Sequence, residues 1–125
     1  MTTLEALADA FMHHEGWFPG SRSNRNRNPG NLRPWKDGQP KDAGGYRVFP
    51  SLVDGYQALL DDLEAKIHGS HGLTPTSTLL DLLNVYAPAG DNNNPNAYAV
   101  AVAQWVSTAL GKPITVKTTL KELTT

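Results

Sequence analysis

Glu15 is the side chain in this sequence best placed for acid–base chemistry. From Leu4 to Glu15 is about three turns at ~3.6 residues per turn, so Glu15 continues the apolar stripe of Leu4, Leu7, Ala8, Phe11 and Met12 along one face of an N-terminal helix. Its carboxylate is therefore expected to face inward or into a cleft. Desolvation disfavours the anion there, as does the negative end of the helix dipole. A carboxylic acid kept protonated near neutral pH is what a departing oxygen needs to receive a proton. The alternative is a solvated carboxylate at a frayed helix end.

Donor groups follow at once. Residues 25–33, RNRNPGNLR, crowd guanidinium forks and amides into one loop, and such groups orient sugar hydroxyls, acetamido groups or phosphates. Asn28, Asn31 and Arg33 are the candidates to line a binding groove, although Asn-Pro-Gly-Asn also suits an exposed turn. Alternating Arg and Asn beside Trp17 and Trp35 would suit phosphates and stacked bases as well. Against that, 11 Lys and Arg face 12 Asp and Glu, and no nucleic-acid-binding signature is present, so no nucleic-acid partner is expected. A second polar cluster, NVYAPAGDNNNPNAY, sets Tyr86 at a helix end and Tyr98 one turn into the next helix, with Asn94 between them. The two phenols are placed to flank a groove, or else to serve as core-edge residues. His13 and His14 diverge on a helix, His68 and His71 straddle Gly69 without a third ligand nearby, and cysteine is absent. No metal or other cofactor is expected.

Helices must position these groups. The first is expected over residues 3–15, capped by Thr2 or Thr3 and ended by Gly16. Residues 16–45 are too rich in Gly, Pro and Asn for a helix, but Trp17, Phe18, Leu32 and Trp35 argue against a disordered linker, so the segment reads as a functional loop. Within it, 31–35 and 46–49 are expected to pair as two short strands, a small β-hairpin after the first helix. Ser51 with Asp54 opens a second helix with its apolar face at Leu52, Tyr56, Leu59, Leu60, Leu63 and Ile67, and Gly69 ends it. A third helix fits Ser77 to Tyr86, capped by Thr76, and a fourth starts at Asn94-Pro95 and runs to Gly111. One more turn fits Thr119 to Leu123. The fold class is therefore α+β and mostly helical, with four or more helices.

At 125 residues the chain suits one domain, 1–125, around a single core, and it is expected to act as a monomer. The start, MTTLEALADAF, has no basic segment before a long apolar run, so neither a signal peptide nor membrane insertion is expected. Synthesis in the cytoplasm with action elsewhere then requires separate delivery.

The parts taken in order resemble a known family. A helix ending in Glu-Gly, then RNRNPGNLR, then GYRVFPSLVDGYQAL, then NVYAPAGDNNNPNAY resembles the phage and prophage lysozyme-like proteins, some of them virion structural proteins, over residues 10–111. The resemblance implies a lysozyme-like fold, related to soluble lytic transglycosylases and goose-type lysozymes. It implies a peptidoglycan-cleaving glycosidase acting on glycan strands in the periplasm or cell wall, with or without association to a virion. Carried over, Glu15 would be the general acid at the β-1,4 bond between N-acetylmuramic acid and N-acetylglucosamine. Asn28 and Asn31 would lie on the hairpin side of the groove, and Tyr86 would stand opposite the acid. Two positions depart from the pattern: Arg27 replaces the usual central Asn, and Asp54 stands where Glu is common.

Cleavage also needs a group to stabilise or capture the oxocarbenium-like carbon. Asp37, Asp42 and Asp91 are the candidates, and one of them holding a water ~6.5–9.5 Å from Glu15 would make an inverting muramidase. Without such a partner, the lytic transglycosylase route implied by the resemblance uses one Glu as acid and then base, and this single-acid chemistry is the favoured expectation. The rival is a non-catalytic virion structural or wall-binding module that keeps the groove without turnover.

Overall fold

A computed structural model describes residues 1–91 and 93–124. Among them are six α-helices: α1 (Thr3–His14), α2 (Arg22–Arg25), α3 (Leu52–Ile67), α4 (Leu79–Tyr86), α5 (Pro95–Leu110) and α6 (Leu120–Leu123). Single 3-10 turns occur at Ser70–Gly72 and Ala89–Asp91. No helix among the described residues is long and apolar enough to cross a membrane.

The caps explain most boundaries. Thr2 accepts the Glu5 N–H while the Glu5 carboxylate accepts the Thr2 N–H, a reciprocal box that starts α1. Ser51 caps α3 through the Asp54 N–H, and Asn94 caps α5 ahead of Pro95. α4 starts two residues later than expected, at Leu79, because Thr78 and Asp81 form the reciprocal box. The preceding residues are held elsewhere: the Ser77 carbonyl accepts the Leu120 N–H, and Thr78 bridges Thr119. α2 lies inside the segment expected to lack helix, where Ser21 caps it through the Asn24 N–H.

α1 packs against α5 and α3, and α5 also packs against α4. Leu7, Ala8 and Phe11 of the expected α1 stripe are buried, with Ala6 and Ala10 added on the neighbouring line, while Leu4 and Met12 are only partly covered. Leu59 and Leu63 of α3, Leu82 and Leu83 of α4, and Val102 and Val106 of α5 close the same core, each such side chain contributing about 1.5–3 kcal/mol on burial.

The expected β-hairpin does not form. Among the described residues there are no strands, only isolated bridges between Lys41 and Arg47 and between Thr78 and Thr119. Segments 31–35 and 46–49 do meet, but through one main-chain bond, from the Arg47 N–H to the Leu32 carbonyl at 2.9 Å. Asn28 supplies much of the rest. Its Oδ1 accepts the Leu32 N–H at 2.9 Å, and its Nδ2 donates to the Leu32 carbonyl at 2.9 Å and the Arg47 carbonyl at 3.0 Å. A side chain thus satisfies backbone groups that a ladder would otherwise pair, which makes strand pairing unnecessary here.

Candidate active site

Glu15 is the C-cap of α1, with φ −73° and ψ −1°, and its N–H still donates to the Phe11 carbonyl at 2.9 Å. Gly16 then takes φ +86°, a left-handed conformation that turns the chain away and leaves the half-buried Glu15 side chain facing a groove of about 940 Å³. One wall of that groove is the loop carrying Asn31, Leu32, Arg33, Trp35, Tyr46 and Arg47. The other is α3, through Ala58, Asp61, Asp62, Ala65 and Lys66, with Tyr86 and Ala87 at the end of α4.

Both carboxylate oxygens of Glu15 are held. The Tyr98 hydroxyl donates to Oε2 at 2.7 Å, and Asn31 Nδ2 donates to Oε1 at 3.2 Å while also reaching the Glu15 carbonyl at 3.4 Å. Asn31 adopts φ +47°, a left-handed conformation that Asn tolerates better than most residues, and this turns its amide onto Glu15. Its Oδ1 is buried without a partner. Tyr98 is itself buried, with His14 stacked on its ring at 3.8 Å and Phe11 tilted against it at 5.3 Å. Burial first, then the charges of neighbouring groups, raises the Tyr98 phenol far above its ordinary range, so it remains a donor at every physiological pH. Burial also lowers His14 below its usual value, against a smaller opposing pull from Glu15.

Tyr86 lines the groove, as expected, but its hydroxyl is committed to the Gly30 carbonyl at 2.6 Å. Its phenol is raised well above the ordinary range by burial first and then by the charges of Glu15 and Asp62. The close approach explains Gly30: a Cβ there would lie 2.6 Å from the Tyr86 hydroxyl and 2.7 Å from Leu59 Cδ1.

The other expected site residues divide. Arg33 lines the groove. Asn28 is fully buried with its amide spent on the loop backbone, so it shapes the wall and has no donor left for a ligand. Tyr98 stands behind Glu15 instead of flanking the groove. Asn94 is exposed and does not line the groove, though its neighbour Asn93 does, and its Oδ1 is occupied by the Ala97 N–H at 3.1 Å as the cap of α5. Of the proposed second acids, Asp42 is bound by Asn26 Nδ2 at 2.8 Å and by the Gly44 and Tyr46 N–H groups at 2.9 Å, and these bonds, Asn26 first, hold its carboxyl below the usual range. Asp37 does not line the groove itself but an adjoining recess that shares Arg33, Trp35 and Gln39 with it. The Asp91 side chain and Asn92 lie outside the described residues.

Two acids not singled out in the sequence do line the groove, Asp61 and Asp62. Asp62 is paired to Lys66 at 2.6 Å through both its oxygens, and Asp61 accepts Gln57 Nε2 at 2.8 Å. A signal for them exists: residues 58, 61, 62 and 65 repeat at i, i+3, i+4 and i+7, a second stripe of small and acidic residues beside the apolar one. Among the described residues no three His, Asp or Glu side chains converge as a metal site would require. In comparisons with known proteins, no family model, no curated protein and no solved structure matches this chain.

Proposed function

We propose that this chain is a peptidoglycan-cleaving glycosidase with a lysozyme-like arrangement, acting on the β-1,4 bond between N-acetylmuramic acid and N-acetylglucosamine with Glu15 as general acid. The observation that carries the reading is the Glu15 carboxyl at the groove edge, each oxygen fixed by its own donor, Tyr98 or Asn31. A carboxyl group oriented in this way is pre-positioned for one proton transfer, and pre-positioning removes part of the entropic barrier.

In the favoured chemistry Glu15 protonates the glycosidic O4 as the C1–O4 bond breaks. The resulting carboxylate then takes the proton of the muramic 6-hydroxyl as O6 bonds to C1, closing a 1,6-anhydro ring. This route needs no second carboxylate. It agrees with the state of the acids across the groove, since Asp62 is neutralised by Lys66 and Asp61 is bound to Gln57. Glycan strands of the periplasm or cell wall are the partner in this proposal, reached by separate delivery or as part of a virion.

Digestion of labelled Gram-negative peptidoglycan, with products read by mass spectrometry, tests the proposal. Wild type is expected to release muropeptides lighter by one water, with 1,6-anhydro ends, and Glu15→Gln to lose cleavage by about 10²–10⁴-fold while still binding the wall. Reducing-end products would assign hydrolysis instead. No cleavage by either protein, with wall binding intact in both, would assign a non-catalytic wall-binding or virion structural module.

A further inference from the structure

The loop wall of the groove carries two guanidinium groups that no carboxylate pairs with among the described residues. Arg47 Cζ lies 4.3 Å over the Phe49 ring, and Arg33 Cζ lies 4.3 Å over the Tyr46 ring. Each is held by an aromatic face and not by an acid. Arg33 has one weak bond, from Nη1 to the Gly44 carbonyl at 3.4 Å. Arg47 is half-buried, and its Nε is buried with no acceptor. Desolvation works against its charge, with no ion pair to compensate.

On the opposite wall the situation is reversed. Asp62 already has its cation in Lys66, so the α3 side has no unpaired need for an anion. A guanidinium without an acid, partly desolvated at Arg47 and exposed at Arg33, is suited to capture of an oxyanion, and stacking on a ring reduces the rotamer freedom lost when that anion arrives. Under the glycosidase reading, on which this inference rests, the glycan's sugars are neutral in the groove except at the muramic lactyl side chain. That side chain ends either in a free carboxylate or in a peptide that carries its own.

We propose that Arg33 and Arg47 form a carboxylate-binding subsite for the acid borne on the muramic lactyl substituent, so that the groove selects muramic-acid glycan over glycan without carboxylates. The acid comes from the lactyl group itself in peptide-free strands, or from the stem peptide in substituted strands. Either source presents the same chemistry to the two guanidinium groups.

Binding is measured in a Glu15→Gln background, where turnover does not interfere, for three ligands: N-acetylglucosamine oligomers, peptide-free glycan strands and peptide-bearing strands. Arg33→Gln and Arg47→Gln are each expected to weaken an acid-bearing ligand about ten- to a hundredfold more than the neutral oligomer, with the difference shrinking at high salt. Selective loss on peptide-free strands assigns the lactyl carboxylate, and loss confined to peptide-bearing strands assigns the stem peptide. Equal loss on all three ligands, or no loss, overturns the subsite. Arg47→Lys, which keeps charge but not the fork, guards against misfolding: a native melting profile with reduced acid selectivity supports the proposal, and native selectivity overturns it. Wild-type cleavage of the same strands is scored separately. Carboxylate selectivity without cleavage would leave the subsite and remove the glycosidase, and cleavage without selectivity would do the reverse.

Discussion

Residues 52–67 build one wall of the groove as a helix whose main chain satisfies itself, whereas residues 26–49 build the other with almost no regular structure. In the helical wall, an apolar line at Leu59, Leu63 and Ile67 faces the core while Ala58, Asp61, Asp62 and Ala65 face the groove. In the loop wall, side chains do what a ladder would do. Asn28 ties Leu32 to Arg47, Asp42 gathers the Gly44 and Tyr46 N–H groups, Asn26 anchors Asp42, and Arg27 Nε donates to the Phe49 carbonyl at 2.6 Å. A helix shares its stability over many equivalent main-chain bonds, so the loss of any one of them costs little. The loop concentrates its stability in a few polar residues, and these are where it should fail. The same irregularity lets the loop present Asn31 to Glu15 and hold Arg33 and Arg47 without acids, which a regular strand pair, with side chains alternating between faces, would constrain.

The two walls meet at Gly55, where an added Cβ would lie 1.9 Å from the Arg27 carbonyl and 3.0 Å from Pro29 Cδ. Gly55→Ala is therefore expected to have the largest effect on stability, about 3 kcal/mol or more, because backbone on both sides must move apart. Denaturant unfolding measures it, and a loss under 1 kcal/mol would mean that the walls are not rigidly joined. Asn28→Ala comes next. Removing three buried hydrogen bonds should destabilise by about 2–3 kcal/mol. Hydrogen exchange should quicken in residues 30–49 while α3 keeps its protection, and equal quickening in both walls would erase the distinction between them. The smallest effect is that of acid. Because the folded Asp42 carboxyl lies below its reference value of 3.8, its contribution is fully present above that pH and is lost as pH falls through the folded value. As pH falls below 3.8 the loop wall should become cleavable by an acid-active protease before α3 does. Simultaneous exposure would show that Asp42 does not govern the loop.

Much of the helical framework is legible residue by residue. Thr2 and Glu5, Ser51 and Asp54, and Asn94 with Pro95 signal helix starts through partners at most three positions away, and each sits where those signals put it. Glu15 was legible for the same reason, since its direction follows from the phase of Leu7 and Phe11. The start of α4 is not legible locally because Thr76, Ser77 and Thr78 can all cap, and contacts with Thr119 and Leu120 far along the chain decide among them. The expected hairpin gives way to an irregular loop because glycine-punctuated segments predict turns and short strands equally well, and nothing local announces that Asn28 will be buried.

From sequence alone, then, follow a mostly helical chain, the ends of α1, α3 and α5, and an acid carried inward at the end of the first helix. Periodicity and capping act within a turn or two, so a linear text contains them. Tertiary structure decided which donors reach that acid, for the Tyr98 hydroxyl and the Glu15 carboxylate are 83 positions apart. It also decided that Asn28 supports the wall instead of facing a ligand, that Asp61 and Asp62 stand across the groove, and that Arg33 and Arg47 remain without acids. Each of those outcomes depends on which surfaces the core brings together, and that is set only when α1, α3, α4 and α5 have packed.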